Sequence, residues 1–295
     1  MDSTLFRAFL KTVDEGSLSR AARALGISQP SLTLQIQRLE RHFGAPLFRR
    51  HGRGVAPTDA GTALIPRARR ILEEFREAED AVRQHDEAPA VLRVGVIPTV
   101  APYLVPDALR RLRDKHPAQR VSIHESHSAA LMRMLADGEL DVAIAAQPYP
   151  FDPSLVVDAL GADPLVVAVP THHPAARAGT ITLSELRNAP AITLDAVHCL
   201  SDQVAEFCNR QGIQLDVVCR GAQLATVLEL VAAGVGVSIV PAMAAARHRG
   251  SACVFVPVTE RELAREIVAV WPARGARPSA AGSLVESLRT IVRGW

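Results

Sequence analysis

The chain of 295 residues has four cysteines, and two of them, Cys199 and Cys208, stand nine positions apart in HCLSDQVAEFCNRQG. Nine positions along an α-helix are about 2.5 turns and about 13.5 Å of axial rise, which sets the two side chains on opposite faces. A disulfide needs Cα atoms within about 7 Å. As helical neighbours these thiols cannot bond, so a bond between them requires the helix to melt. Ser201 reads as the N-cap of a helix over residues 202–210, leaving Cys199 just ahead of a helix N-terminus. There the macrodipole and free N–H groups favour a thiolate, and the adjacent His198 adds positive charge when protonated. Such a thiolate is a target for peroxide and becomes a sulfenic acid, which a second thiol can attack. The resulting bond holds the segment in a second packing, an order–disorder switch. The other reading is two chemically silent cysteines, because free cysteine is among the most buried residue types. Cys219 in LDVVCR and Cys253 in ACVFV read as silent strand cysteines.

Composition narrows the setting. Hydrophobic residues make up 48% of the chain, which suits globular folding into more than one domain. The opening MDSTLFRAFLKTVDEGS lacks the apolar run and the cleavage site of a secretory leader, and nowhere is there a run of about 18 apolar residues. The cytoplasm is therefore the expected compartment, with no membrane partner. Net charge is +2 but unevenly placed: residues 1–60 hold nine Arg/Lys and five Asp/Glu, whereas residues 91–295 hold nineteen of each. A basic head on a neutral body suggests that one end meets a polyanion and the rest meets something else.

The head reads as three helices. Leu5, Phe6, Phe9, Leu10 and Val13 repeat at helical spacing, Gly16 breaks that helix, Ser17 caps SLSRAARALG, and Ser28 caps SQPSLTLQIQRLERHF. Only Gly26 and Ile27 connect the second and third helices, so the two must cross steeply as a helix-turn-helix. Gln29, Pro30, Ser31 and Thr33 occupy the first turns of the third helix, with Gln35 and Arg38 following. Glutamine pairs with the N6/N7 edge of adenine, and Ser or Thr with either groove partner. In RRHGRGVAPT, Arg49, Arg50 and Arg53 flank two glycines, a basic hairpin suited to phosphate or minor-groove contact.

After Thr58 a long helix is expected. Leu64, Ala68, Ile71, Phe75, Ala78 and Val82 step by four and three, the seam of a coiled coil, although only about three heptads also suit a monomeric helix lying on a domain, and Pro66 should bend its first turns. Two such seams packed together hold two recognition helices about one turn of DNA apart. The polar stretch His85–Ala90 reads as a hinge. The division expected is residues 1–58 for DNA, 59–90 for the linker helix and hinge, and 91–295 for an effector region.

From Val91 short apolar runs alternate with amphipathic helices, from VLRVGVI to EIVAVWP, so this region is expected to be α/β, doubly wound, with mostly parallel sheets in two lobes. Ligands of such sheets bind at the carboxyl ends of strands. Thr99, Ser128 and the pair His198–Cys199 stand at such ends. No GxSxG, HExxH, P-loop or strand-borne GxGxxG is present, and His172–His173 lack neighbouring ligands. No enzyme activity, metal or cofactor is therefore expected.

The run EGSLSRAARALGISQPSLTLQIQRLERHFGAPLFRRHGRGVAPTDAG resembles the DNA-binding domain of LysR-type transcriptional regulators: the Ala-Ala pair, the Ser-Gln-Pro, the Leu-Glu, the Leu-Phe-Arg and the Thr…Ala-Gly all match. The resemblance implies an N-terminal winged helix-turn-helix, a long dimerising linker helix, and a two-lobed effector domain like the periplasmic binding proteins. It also implies operator DNA, RNA polymerase and further copies of the chain as partners, the copies forming a dimer and from it a tetramer. HCLSDQVAEFCNRQG, with VGVIPTVAPYLVP and VAAGVG, resembles the peroxide-sensing members of this family. Carried over, Cys199 is the cysteine that reacts with peroxide and Cys208 the one that resolves it. Thr99, Ser128, His198 and Asp202 line the peroxide pocket, and Arg265, just before the last strand, favours the thiolate. Ser128 keeps a hydroxyl where the family has threonine, and Ser201 replaces a basic residue. The DNA-binding half looks closer to family members that bind small organic acids, so an organic-acid or aromatic effector in the inter-lobe cleft is the alternative ligand.

Overall fold

A computed structural model describes residues 2–52, 54–83, 90–153, 155–248, 252–259, 263–273 and 277–294. The chain forms two compact units: Met1–Ala90 with Ala136–Glu139, and Val91–Leu135 with Leu140–Trp295.

The first unit begins with α1 (Ser3–Glu15), α2 (Leu18–Ala24) and α3 (Gln29–Phe43). Local chemistry sets their ends. Asp2, Ser17 and Ser28 accept the backbone N–H of Thr4, Arg20 and Ser31, while Gly16 and Gly44 close α1 and α3 in the left-handed conformation. Phe6, Phe9, Leu32 and Leu39 are buried at the centre of this unit. The wing is β1 (Phe48–His51) paired antiparallel with β2 (Gly54–Pro57). Glu40 of α3 anchors it, its carboxylate accepting the N–H of Leu47 at 2.8 Å and of Phe48 at 3.3 Å. Thr58 then turns the chain: its hydroxyl donates to the Pro46 carbonyl at 2.7 Å and accepts the Gly61 N–H at 3.0 Å. A Cβ at Gly61 would overlap the Leu47 carbonyl oxygen, so the wing and the next helix approach closely only because that residue is glycine.

That helix is α4 (Asp59–Arg83). Leu64, Ala68 and Leu72 bury against the helix-turn-helix core and Ile71 packs on it, but Phe75 is 42% exposed and Ala78 is exposed. The first half of the expected seam is thus used inside the unit, whereas Phe75 and Ala78 are turned out of it. Nearly all of the hinge expected over residues 85–90 lies outside the described residues, as does the side chain of Val82.

The second unit opens with β3 (Leu92–Val96), α5 (Ala101–Lys115), β4 (Val121–Glu125), α6 (Ser128–Ala136), β5 (Val142–Gln147) and β6 (Leu155–Pro170). It continues with α7 (Pro174–Ala178), α8 (Leu183–Asn188), β7 (Pro190–Leu194), α9 (Cys199–Arg210), β8 (Asp216–Gly221) and α10 (Leu224–Ala232). Last come β9 (Ser238–Pro241), α11 (Ala242–Arg247), β10 (Cys253–Val256), β11 (Leu263–Pro272) and α12 (Ser279–Val292).

The expectation of mostly parallel sheets is corrected. β3 pairs parallel with β4 and β5, and β7 with β8, but β11 runs antiparallel to β5 and β6, and β6 antiparallel to β9 and β10. The cause is β6. Its 16 residues begin against β11 and end between β9 and β10, so one strand is shared by two lobes. The parallel pairs need helical crossovers, and α9 is the crossover between β7 and β8.

Candidate functional site

Cys199 sits at the carboxyl end of β7, as its place in the alternation predicts, but the helix starts earlier than expected. α9 includes Cys199 as its first residue, the capping position belongs to His198, and Ser201 lies inside the helix. The His198 backbone is extended (φ −90°, ψ 127°) and its side chain makes no capping hydrogen bond. The first-turn N–H groups of α9 therefore meet no side-chain acceptor at the cap. The His198 ring is turned elsewhere. Its Nε2 lies 2.9 Å from the Ala222 carbonyl, which can only accept, so Nε2 holds the proton and Nδ1 is the open position. His127 meets the same ring edge-on, centroids 5.4 Å apart. This contact brings the segment before α6, and with it Ser128, to the segment carrying Cys199.

Leu200, Gln203, Val204 and Cys208 form the buried face of α9. Leu200 and Val204 rest over an apolar cavity of about 20 Å3 shared with β7, β9 and α10. Cys199 is half-buried and Cys208 buried, and no disulfide forms among the described residues. Burial pushes the Cys208 thiol up to about 11. Cys219 is only half-buried, on β8, while Cys253 is buried on β10.

Two buried polar side chains near Cys199 lack protein partners among the described residues. Gln203 is 6% exposed with neither amide atom bonded, and Ser128 is 5% exposed with its hydroxyl unbonded. Buried polar groups are normally paired, so both side chains stand out as exceptions beside the start of α9. Gln203 lies within the segment singled out from sequence but was not among its candidates.

Arg265 stands inside β11 rather than before it. Its Nε donates to Asp163 Oδ2 at 2.9 Å, Nη1 to the Thr99 hydroxyl at 2.8 Å and Nη2 to the Thr99 carbonyl at 3.0 Å. Asp163 is its cross-strand partner on β6, and both side chains are 1% exposed. The positive charge is thus neutralised on the spot, and no hydrogen bond joins this cluster to Cys199 among the described residues. What Arg265 does is fix Thr99. Because the Thr99 oxygen accepts from Arg265, its own proton is free to be donated. Sequence reasoning missed Asp163, which no local motif marks. Asp202 faces an open cleft beside Cys199.

In the first unit the expected DNA-facing residues Gln29, Pro30, Ser31, Arg38, Arg49 and Arg50 are exposed, and Thr33 is half-buried. Gln29 accepts the Ser19 hydroxyl at 2.8 Å, and Thr33 donates to the Gln29 carbonyl at 2.9 Å. Gln35 points differently: its amide oxygen is buried without a partner among the described residues. Leu34, missed from sequence, is 45% exposed on α3. Arg53 lies outside the described residues. His173 caps α7, its Nδ1 accepting the Ala175 N–H at 3.2 Å. Among the described residues no cluster of metal ligands forms, and no helix is long and apolar enough to cross a membrane.

Residues 3–62 match the bacterial regulatory helix-turn-helix protein family, lysR type, and residues 85–293 match the LysR substrate binding domain. The chain is 33% identical over 277 residues to a hydrogen peroxide-inducible genes activator of Dickeya chrysanthemi, covering 92% of this chain and 90% of that protein. It is 32% identical to the DNA-binding transcriptional dual regulator OxyR of Escherichia coli, over 93% and 90% of the two chains. Among solved structures, a full-length OxyR variant from Pseudomonas aeruginosa superposes with a TM-score of 0.72 at 27% identity, covering 98% of this chain and 95% of that one. An OxyR mutant of Corynebacterium glutamicum gives 0.66 at 29%, over 99% and 92%.

Proposed function

Since the chain belongs to the LysR family of bacterial transcriptional regulators, we propose that it binds operator DNA and senses hydrogen peroxide through a Cys199–Cys208 switch. The observation that carries this is one helix with a free thiol at its uncapped N-terminus, a second thiol buried near its other end, and unpartnered Gln203 and Ser128 close by.

The chemistry runs in two steps. The Cys199 thiolate attacks one oxygen of hydrogen peroxide, an S–O bond forms, the O–O bond breaks, and hydroxide leaves. His198, Ser128, Gln203 and Thr99 supply hydrogen-bonding groups around the reacting oxygens, and Asp202 lies at the approach. Arg265, held by Asp163, orients the Thr99 hydroxyl as a donor rather than acting on the thiol itself. In the second step the Cys208 thiolate attacks the sulfenic sulfur, the disulfide forms and a second hydroxide leaves. The two sulfurs lie on opposite faces and about 13.5 Å apart along α9, so the helix must unwind first.

The rearranged region signals to the DNA-binding end. There Gln29, Pro30, Ser31, Thr33 and Arg38 of α3 read bases or adjoining phosphates, and Arg49, Arg50 and Arg53 hold the backbone. Gln35, its amide oxygen buried, serves the packing of α3 more than base readout. Residues 1–58, 59–90 and 91–295 act as DNA-binding, dimerising and sensing parts. The chain works as a dimer through α4 and as a tetramer, contacting RNA polymerase.

The test is mass measurement of the reduced full-length protein after micromolar peroxide. The expected result is a loss of two hydrogens, mapped to a Cys199–Cys208 disulfide and reversed by reductant, and abolished in Cys199→Ser while operator binding persists. Both thiols remaining open to alkylation after peroxide would leave the organic-acid effector as the ligand.

A further inference from the structure

The helix α3 turns one apolar side chain outward. Leu32, Ile36 and Leu39 form its buried face, and at 3.6 residues per turn Leu34 stands almost diametrically opposite them. Leu34 is 45% exposed, and among the described residues the side chains packed on the helix-turn-helix core do not include it. Pro30 and Arg38, four positions before and after it, and Ser31, three before, share its face and are exposed. The polar neighbours are partly committed. The Gln29 amide oxygen accepts the Ser19 hydroxyl at 2.8 Å, the Thr33 hydroxyl donates to the Gln29 carbonyl at 2.9 Å, and the Ser28 and Ser31 hydroxyls meet at 2.9 Å. The centre of the outward face is thus a hydrocarbon side chain. Arg38 and Arg41, exposed on the same side of α3, set positive charge beside it.

A single exposed leucine is ordinary on most protein surfaces. On the face of a basic helix that meets DNA it has one matching partner. The base edges in the major groove present hydrogen-bond donors and acceptors and one apolar group, the C5-methyl of thymine. The Leu34 side chain makes no hydrogen bond, so among those groups only the methyl complements it. We propose that Leu34 reads one thymine in each operator half-site by packing on its C5-methyl, and that this contact sets part of the sequence specificity of the chain. The proposal rests on operator binding through α3. Its physics differs from that of the arginines around it. Contacts from arginine to phosphate raise affinity for any sequence, whereas excluding water between a leucine and a methyl favours one base of the four. Cytosine at the same place offers no methyl and brings an amino group, which Leu34 would strip of water without giving it an acceptor.

The reduced full-length protein is used to select duplexes from a random-sequence DNA library. Each thymine of the recovered site is then replaced in turn, in both half-sites, by uracil, which differs only in lacking the methyl. Binding is read by fluorescence anisotropy. At one such position uracil is expected to weaken binding of the unaltered chain about fifteenfold, from about fourfold for each buried methyl. Leu34→Ala is expected to bind the thymine and uracil sites equally, and Leu34→Met, which keeps a long apolar side chain, to preserve the discrimination. A purely structural role for Leu34 lowers both affinities together and leaves the thymine-to-uracil ratio unchanged, which overturns the assignment. Indifference of the unaltered chain to uracil at every thymine also overturns it, needs no variant to fold, and leaves operator binding standing. Failure to enrich any sequence defeats operator binding itself, and the reading of thymine with it.

Discussion

In the proposed switch, Cys208 separates the two half-reactions. A thiol must lose its proton to attack, and burial has moved Cys208 from an ordinary value of 9.0 to about 11. While α9 is docked, its thiolate fraction at neutral pH is lowered by about a hundredfold. The second cysteine therefore stays silent until the helix releases it. Because the folded value lies above the unfolded one, the stability that Cys208 contributes is fully present below pH 9.0 and is lost as pH rises through about 11. The expected outcome for Cys199→Ser protein is slow alkylation of Cys208 with a pH midpoint near 11, falling to about 9 in denaturant. A midpoint near 9 in the native protein would show that the thiol is already accessible. Arg265 and Asp163 show the opposite use of burial: each charge is tolerable only because of the other, and stranding one of such a pair costs roughly 3–5 kcal/mol. Such a pair suits a fixed scaffold for Thr99, whereas the lone thiol suits a moving part.

At the scale of the element, α9 is a short crossover helix resting on Leu200, Val204 and Cys208 over a small apolar cavity. In the proposed switch this docking has to be undone before the disulfide forms. Val204, 6% exposed, is a sensitive place to test this. Val204→Ala is expected to weaken docking by roughly 2 kcal/mol. If release of α9 limits the second step, disulfide formation after sulfenic acid accelerates by up to about thirtyfold. Quenched mass measurement of the time course checks it, and an unchanged rate would mean that the helix opens by another route. The misplaced start of α9 has a local cause. Ser201 is a good capping residue by type, but His198 takes the extended backbone at the end of β7, so the helix begins two residues before Ser201.

For the whole molecule, α4 carries the unfinished surface. Leu64, Ala68 and Leu72 are buried in the first unit, and Phe75, one turn on, is 42% exposed. A seam that runs past its own domain has a second copy as its natural cover. Each phenyl ring buried across a two-fold interface contributes roughly 2 kcal/mol. Phe75→Asp removes two of them at once, so dimer affinity is expected to fall roughly a thousandfold. Sedimentation velocity at micromolar concentration reads the shift to monomer, and a dimer that persists would place the interface elsewhere.

Much of this protein was legible before any coordinates. The caps at Ser17 and Ser28, the glycine at residue 16, the strand-end positions of Thr99, Ser128 and Cys199, and the nine-residue cysteine spacing all follow from signals within a few residues of one another. Backbone conformation and helix periodicity act over that range, so local reading reaches them. Partners were a different matter. Arg265 finds Asp163 across 102 positions of chain, Tyr149 faces a cysteine 50 positions away, and β6 joins two lobes by continuing past the end of its first partner. Burial is likewise collective: the same helix leaves Cys199 half-buried and seals Cys208, because only the packed sheet beneath α9 determines which face is covered.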